Sequence, residues 1–424
     1  MSTSSTSSGG IKTTLYYPKL VNAKLLDYGI IVFSCLFFLQ HPAIIPYING
    51  NKSLISTTSY ALEYTANITT AFRMGDTVMK NNYKNYWYEY IFHGETVANN
   101  NPKLQEFFNI NNWKTSLILD YIYPSWLTSL PHSVAIYVRN FVAIHLVYYG
   151  FGAIWAYFVY VVYVDHNFPM DKITGKRKGM PSIEAIKAQM WVSEKAMPFY
   201  VLMPTMSEWF VERGWTRAVS TIEEMGGFTG YVVYTIAYLF FVEWAIYWIH
   251  RLLHEIRWLY KWLHYDHHIY NHLGDMSPFA GLAFHPFDGM AQASPYVIGL
   301  FLMPVHFWTH LIFLFFTGVW TTCIHDALKE STEPIMGSKY HMYHHTAYRD
   351  NYGQFFVFFD WIHDTLTDPL LRNPSHFGLV EDGAPQAAVA GTMFNETTET
   401  TKTVDTDAPV SGGRQRANSG KKNK

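Results

Sequence analysis

Long apolar runs separated by polar stretches dominate the chain, and they predict an all-α integral membrane domain. The runs at 141–164 and 228–249 are the clearest, because each has the roughly 20 residues that a helix needs to cross the hydrocarbon core of a bilayer. A first run at 27–48 also has spanning length, although Pro42 and Pro46 are expected to bend its far end.

Two further apolar segments bring the predicted number to about four to six. The segment 290–324 is interrupted by Pro295 and Pro304, which favours a helical hairpin that enters the membrane and returns. The segment 196–210 is short, so it is either a tilted span or a helix lying in the membrane interface.

The chain ends differ in composition from this apolar core. Both are rich in small polar residues and lack the apolar surface that could offset the entropy of folding, so they are expected to be disordered. Sequons at Asn51 and Asn67 fit a lumenal loop after the first run. The predicted organisation is a disordered N-terminus, an apolar segment with a lumenal loop, a membrane domain and a disordered cytosolic tail at 1–26, 27–138, 139–372 and 380–424.

The composition agrees with a membrane protein and excludes several classes of function. Hydrophobic residues make up 49% of the chain and charged residues only 15%, against about 25% in an average soluble domain. A formal net charge of −2 provides no general attraction to nucleic acid. The two cysteines, Cys35 and Cys323, form neither a disulfide framework nor a CxxC pair, so any metal must be held by nitrogen and oxygen ligands.

Basic residues near the apolar runs predict the orientation in the membrane. Lys12, Lys19 and Lys24 precede the first run, and a basic loop at 172–187 follows the run at 141–164, which places both flanks in the cytosol. If 196–210 crosses the membrane, the sites described next and the C-terminus are also cytosolic. If 196–210 lies in the interface instead, one of the other predicted spans must be wrong.

Histidines are concentrated between His250 and His345, which hold thirteen of the twenty in the chain. Eight of them form three groups with the i, i+3 or i+4 spacing that places side chains on one helix face. The groups are His250 and His254; His264, His267 and His268; and His341, His344 and His345. Eight imidazoles could hold two metal ions, although imidazole alone does not choose between Fe, Zn, Cu and Ni.

Other polar residues near these groups are secondary candidates. His325 follows the predicted hairpin, so it is expected to be a ninth ligand, whereas His285 is interpreted as an outer or structural residue. Asp266 and Asp326 could orient imidazole N–H groups or simply be solvated. Glu243 lies inside a predicted span, where a carboxylate is expensive; it could bind a substrate hydroxyl or a polar partner within the protein.

The remaining histidines are not expected to bind metal. His306 and His310 lie inside the hairpin, where packing or hydrogen bonding is the simpler role. No metal-binding role is predicted for His41, His93, His132, His145, His166, His363 and His376.

The pattern HxxxH, HxxHH, HxxHH resembles the fatty acid hydroxylase/sterol desaturase superfamily of membrane di-iron enzymes. The blocks at 259–286, 320–326 and 334–353 and the segment KAMPFYVLMPTMSEWFVERGW look like sterol C-5 desaturases, also called lathosterol oxidases, and most like the plant form. The resemblance extends from about Tyr121 to Arg372. The boxes are specific for the metal site, and the longer blocks select a sterol substrate.

The resemblance implies a helical membrane domain capped by cytosolic helices that carry two iron ions, held by the eight box histidines. It implies introduction of the C5=C6 double bond into a Δ7-sterol, with O2 as oxidant and electrons from NAD(P)H through cytochrome b5 and its reductase. It also implies the endoplasmic reticulum membrane, for which the C-terminal Lys421 and Lys422 resemble a dilysine retrieval signal or form a solvated basic end.

The chain departs from the family pattern at two places. Plant relatives tend to have a further histidine four residues after the position of His325, where this chain has Lys329, which leaves one metal short of a ligand or weakens the case for His325. His363-Asp364 replaces a usual Phe-Gly pair, and Asp is expected to tolerate the left-handed turn there.

Several residues are expected to contact a sterol or its surroundings. Thr205 and Ser207 could meet a polar group of the sterol, and the candidate aromatic walls are Phe279, Phe284, Tyr340 and Phe355.

Alternative functions remain open at this point. Sibling enzymes such as a sterol C-4 methyl oxidase or a fatty acid or carotenoid hydroxylase share the boxes and differ in product. A histidine-rich metal transporter would place its ligands at the bilayer midplane, whereas these boxes follow helix ends. A non-catalytic membrane scaffold would contain no metal.

Overall fold

The computed structural model describes residues 23–39, 88–94, 101–122, 130–271, 275–326 and 334–368. Within these ranges the fold is helical, with one pair of two-residue parallel strands, as the apolar pattern predicted. The sequons at Asn51 and Asn67, Lys329 and the tail 380–424 lie outside the described residues.

Eleven helices organise the described part of the chain. They are α1 (Ala23–Leu39), α2 (Pro102–Ile122), α3 (His132–Val162), α4 (Ile183–Tyr200), α5 (Leu202–Glu212), α6 (Gly227–Glu255), α7 (257–268), α8 (Pro286–Leu302), α9 (Phe307–Ile324), α10 (Ser338–Ala347) and α11 (Phe358–Ile362). Short helical segments lie at Glu89–His93, Val164–Asn167, Glu223–Met225 and Pro278–Leu282. The strands are β1 (Ala218–Val219) and β2 (Val305–His306).

Among the described residues, three helices are long and apolar enough to cross a membrane: α3, α6 and α9. Helix α3 begins at His132, well before the predicted start at 141. The apolar pattern is interrupted by Arg139, but this side chain is buried and bonded to Glu208 of α5, so the helix continues through it. Because Arg139 is paired with a distant carboxylate, it can be buried inside the helix. The break that it makes in the apolar pattern therefore does not mark the start of the helix.

Helices α8 and α9 correspond to the predicted hairpin. A short connection at 303–306 joins them, and its strand β2 pairs with β1, with Ala218 opposite Val305. Helix α8 begins at Pro286, a favourable first position because proline has no N–H to leave unpaired. The chain leaves the histidine-rich region after α7 and returns to it at His325, as a hairpin requires.

Three other segments differ from the simple apolar pattern. The segment 196–210 is divided between α4 and α5, which meet at Val201, and is not among the three candidate spans of the described residues. The predicted lumenal loop contains α2, which packs on α3 and α5. Residues 23–26 of the predicted disordered N-terminus belong to α1, whose Asp27 accepts hydrogen bonds from Trp244 and Trp248 of α6.

Helix α6 lies at the centre of the largest hydrophobic core. Its Tyr238, Val242 and Ile246 are fully buried against residues of α8 and the start of α9. Gly299 of α8 permits this close approach, because a Cβ there would lie 2.6 Å from the Tyr238 ring. With 29 residues, α6 is about 44 Å long at 1.5 Å per residue. Since this exceeds the roughly 30 Å of a hydrocarbon core, its last turn can project beyond the lipid.

Candidate metal centre

Four segments bring histidines to one place. The end of α6 carries His250 and His254, and α7 and α10 carry the other two boxes. His325 follows the last residue of α9 and joins them. Helix α7 includes a π-helical stretch, Tyr260–His264, of the kind that is frequent at functional sites.

The nine histidines form two clusters, and within each cluster the ligand nitrogens lie within 4.8 Å of one another. The first cluster, called the five-histidine cluster, contains His250, His254, His264, His268 and His344. The second, called the four-histidine cluster, contains His267, His325, His341 and His345.

Helix periodicity explains how each box is divided. Residues four apart share a face, so His264 and His268 point to one cluster while His267 points to the other. In α10, His341 and His345 share the four-histidine cluster, and His344 joins the five-histidine cluster. In each of these two boxes, the histidine that the spacing turns aside joins the cluster that its two neighbours do not: His267 joins the four-histidine cluster, and His344 joins the five-histidine cluster.

Hydrogen bonds at the outer ring nitrogen fix four of these imidazoles. Nδ1 of His250, His325 and His344 donates to the backbone carbonyl groups of Tyr352, Thr321 and Asp350 at 2.7–2.9 Å. Nδ1 of His264 lies 2.6 Å from Oδ2 of Asp288. A carbonyl group can only accept, so Nδ1 carries the proton and Nε2 presents a lone pair to the cluster. This is the arrangement that metal-binding histidines usually adopt.

The nitrogens fit two metal ions. Nε2 of His325 lies 3.1 Å from Nε2 of His267 and 2.8 Å from Nε2 of His341. Two nitrogens that bind one ion at about 2.1 Å, with bonds at right angles, lie about 3 Å apart. Nε2 has no hydrogen-bond partner among the described residues in four of the nine histidines: His250, His254, His344 and His345. Because each unpaired buried group costs roughly 1–3 kcal/mol, this density of unpaired nitrogens favours a bound cation.

Burial favours the neutral form of several cluster imidazoles outside the spans. It lowers the pKa of His325 to about 4 and that of His344 to about 3, and it lowers the pKa of His267, His268 and His345 well below the ordinary value. A neutral imidazole is the form that binds a metal ion, so these five imidazoles are suited to do so at neutral pH.

The carboxylate that contacts a cluster imidazole belongs to Asp288, not to Asp266. Asp266 is exposed on α7, whereas Asp288 is fully buried in the first turn of α8. Oδ1 of Asp288 also accepts a hydrogen bond from Gln292. Asp326 is buried and accepts a hydrogen bond from the Trp155 indole at 2.5 Å. Asp288 is 24 residues from His264, so no local sequence spacing indicated their contact.

His285 and His310 have structural roles in the folded chain. His285 is the N-cap of α8, where its Nδ1 accepts the Phe287 N–H, which agrees with the structural alternative. His310 is fully buried and bonds to Tyr238 and Ser207. Asp364 has φ +61°, so it occupies the left-handed turn that was expected there.

Glu243 binds protein backbone instead of standing free for a substrate. Its carboxylate accepts the N–H groups of Gln354, Phe355 and Phe356 at 3.0–3.1 Å. These residues follow Tyr352, whose carbonyl group fixes His250. Glu243 thus connects the middle of α6 to the loop that supports the five-histidine cluster.

An apolar chamber adjoins both clusters. It contacts His250 of one cluster and three histidines of the other, His267, His325 and His341. Its walls come from α3, α4, α5, α6, α8 and α9, and they include Ile144, Met203, Ile246, Ala293, Leu314 and Phe315. Binding sites for small ligands are concave and lined mainly by apolar side chains, so the chamber is the candidate binding site for an apolar substrate.

The predicted substrate contacts are only partly at this chamber. Phe284 lines it, whereas Phe279, Tyr340 and Phe355 pack in the surrounding core. Thr205 is not among the described residues that line the chamber; its hydroxyl accepts a hydrogen bond from Asn140. Gln354, which does line the chamber, has no feature in the sequence that distinguishes it from other polar loop residues.

Comparisons with known proteins agree with the resemblance read from the boxes. The fatty acid hydroxylase family model matches residues 235–365. The Delta(7)-sterol-C5(6)-desaturase of Nicotiana tabacum is 41% identical over 268 residues, which cover 63% of this chain and 96% of the relative. Lathosterol oxidase of Rattus norvegicus is 32% identical over 258 residues, which cover 59% of this chain and 81% of the relative. No solved structure matches the chain.

Both relatives have names that describe enzymes, which confirms the predicted enzyme class and gives no support to a metal transporter. The match spans nearly the whole length of the tobacco relative, and the residues that the family model matches include all three histidine boxes. The chain therefore belongs to the sterol C5-desaturases of the fatty acid hydroxylase family and is an oxidoreductase.

Proposed function

We propose that the chain is a membrane di-iron oxidase that introduces the C5=C6 double bond into a Δ7-sterol. The observation that carries this proposal is that histidines of both clusters line one apolar chamber. The names of the relatives supply the position of the double bond and the class of substrate.

The reaction requires an external reductant. The sterol loses one hydrogen from C5 and one from C6, with two electrons, and gains the double bond. O2 accepts four electrons and four protons and leaves as two water molecules. Since the sterol supplies two of the electrons and two of the protons, a donor must supply the other two electrons, with two protons from solvent. We assign this role to NAD(P)H, acting through cytochrome b5 and its reductase.

Two iron ions, held by the five-histidine and four-histidine clusters, would supply activation of O2 and the power to break an unactivated C–H bond. The protein's own residues position the imidazoles and the substrate and keep water away from them. Asp288 and the three backbone carbonyl groups hold four imidazoles in the tautomer that presents Nε2 to the cluster. Apolar side chains such as Ile246 and Leu314 exclude water from the chamber and align a flat hydrocarbon beside the clusters.

The setting follows from the substrate. A sterol dissolves in the lipid phase, and helices of spanning length can give it lateral access to the chamber. We place the protein in the endoplasmic reticulum membrane, with the histidine clusters and the C-terminus in the cytosol, where a soluble electron-donor domain can reach them.

Expression in cells that lack sterol C5 desaturation, followed by sterol profiling, tests the proposal. The expected result is disappearance of the accumulated C5-saturated sterol and appearance of the Δ5,7 product. A matched His267→Ala or His344→Ala variant should insert in the membrane but form no product, because each removes a ligand from a different cluster. Persistence of the C5-saturated sterol with the inserted wild-type chain would refute the substrate assignment.

A further inference from the structure

Most polar side chains in the chamber wall are already bonded to the protein. The hydroxyl groups of Tyr148, Tyr200 and Thr317 donate to backbone carbonyl groups at 2.8–3.1 Å. Gln292 donates to Asp288, the outer partner of His264. These groups are therefore engaged in holding the wall or the metal centre.

Gln354 is held differently. Its backbone N–H donates to Glu243, its backbone carbonyl accepts the Trp320 indole N–H at 2.7 Å, and its side-chain NH2 donates to Thr321 Oγ1 at 3.0 Å. The side chain is thus fixed in the wall, yet no described residue donates to its Oε1. Exchange of the amide oxygen and nitrogen would reverse its bond to Thr321 and still leave one polar amide atom for a group in the chamber.

The position of this amide relates it to both clusters. Thr321, which holds the amide, also accepts the Nδ1–H of His325 through its backbone carbonyl. Tyr352, two residues before Gln354, accepts the Nδ1–H of His250. The amide is therefore linked by short stretches of chain to one imidazole of each cluster.

The chemistry of the proposed substrate requires a polar partner in this region. A sterol has one hydroxyl group, on C3, and C5 and C6 are two and three bonds from C3. With C–C bonds of about 1.5 Å, the hydroxyl oxygen lies within about 5 Å of the carbons that react. When these carbons reach the clusters, the hydroxyl group is buried beside them, and a buried hydroxyl group without a hydrogen bond is costly.

We propose that the Gln354 amide binds the 3-hydroxyl group of the sterol, that Thr321 positions this amide, and that the bond selects C5 and C6 for oxidation. The inference rests on the proposed function, since it assumes a 3-hydroxysterol in the chamber. It adds a residue of substrate recognition that belongs to neither cluster.

The test compares a 3-hydroxy Δ7-sterol with its 3-deoxy analogue, using radiolabelled ligand binding to the purified protein and kcat/KM. The wild-type chain should prefer the hydroxysterol by about three- to tenfold, the value of a typical hydrogen bond. Gln354→Met, which keeps the side-chain length, should bring this preference close to one in both measurements. Its iron content should stay near the wild-type value, and its kcat/KM should fall more for the hydroxysterol than for the deoxy analogue. Gln105→Met in α2 is the matched control and should keep the wild-type preference.

Thr321→Val is a second variant that keeps the shape of the side chain and releases the amide; it should reduce the preference partially. The inference would be overturned if Gln354→Met lowered kcat/KM equally for both sterols. It would also be overturned if Gln354→Met and Thr321→Val both kept the wild-type preference for the hydroxysterol. Loss of the preference in Gln292→Met alone would overturn it in favour of the other chamber amide. If the wild-type chain neither binds nor converts any Δ7-sterol, the proposed function itself fails.

Discussion

At the scale of single residues, the metal centre depends on groups that the histidine boxes do not contain. The boxes provide the nitrogens, but the tautomer of each ring depends on what its other nitrogen contacts. Asp288 fixes His264 from a different helix, and the backbone carbonyl of Tyr352 fixes His250 from a loop. These outer partners determine which nitrogen faces each cluster.

Asp288→Asn should weaken iron binding by about 10–100-fold, because the amide keeps the shape of the side chain but removes the charge that supports His264. Competition with a chelator measures this change. Asp266→Asn, at an exposed position of α7, is the matched control and should bind iron like the wild-type chain. Equal affinities of the Asp288 and Asp266 variants would contradict a supporting role for Asp288.

The unequal clusters should respond differently to loss of one histidine. His325→Ala leaves three histidines in the four-histidine cluster, and we expect iron to fall from about two ions per chain to about one. His254→Ala leaves four in the other cluster, so most of its iron should remain. Elemental analysis of purified protein distinguishes these outcomes, with His285→Asn as a control that preserves the N-cap. Identical iron contents in the His325 and His254 variants would disprove the asymmetry.

At the scale of elements, α6 supports the metal centre in two ways. Its last turns carry His250 and His254, and its middle carries Glu243, which binds three consecutive backbone N–H groups of the loop before α11. This buried carboxylate connects two elements that are more than 100 residues apart in the chain. It explains why a charged side chain is retained within an apolar helix.

Glu243→Gln should destabilise the protein by about 1–3 kcal/mol, because the amide NH2 of glutamine would face donors that it cannot satisfy. Thermal unfolding in detergent should show a Tm lower by several degrees. Glu255→Gln, at the exposed end of the same helix, removes a surface pair with Arg251 and should change the Tm very little. Indistinguishable Tm values for the two variants would show that the backbone contacts of Glu243 contribute little.

At the scale of the whole molecule, the two clusters connect segments that are far apart in the sequence. The ends of α6 and α9 and the helices α7 and α10 meet at the nine histidines. Bound cations would hold these four segments together, and without them the unpaired nitrogens favour separation. The metal centre is thus expected to be part of the stability of the fold as well as of its chemistry.

Removal of iron by a chelator should lower the Tm and increase hydrogen exchange in α7 and α10, because a ligand bound only by the folded state stabilises it by about 4 kcal/mol at 1,000 times its dissociation constant. Exchange in α2, which carries no cluster residue, should stay unchanged. Restoring Fe(II) should reverse both effects. Unchanged exchange in α7 and α10 after complete iron removal would argue against this coupling.

Local periodicity in the sequence determined the helical membrane character, the central apolar helices and the eight box histidines. Apolar runs of spanning length and i, i+4 spacing act within a few turns of one helix, so they can be read without knowledge of the fold. The resemblance to sterol desaturases came from the same boxes and the blocks around them. His325 was also predicted as a ninth ligand, because it follows the hairpin that returns the chain to the other histidines.

Only the tertiary structure decided how these residues are divided and supported. The assignment of His267 and His268 to different clusters, the contact of Asp288 with His264 and the position of Gln354 in the chamber wall all involve partners from distant parts of the chain. Helix α3 continues through Arg139 for the same reason, since Glu208 lies on another helix. A sequence pattern records the preference of each segment, whereas long-range packing determines which buried polar groups meet, because each must find a partner within the folded protein.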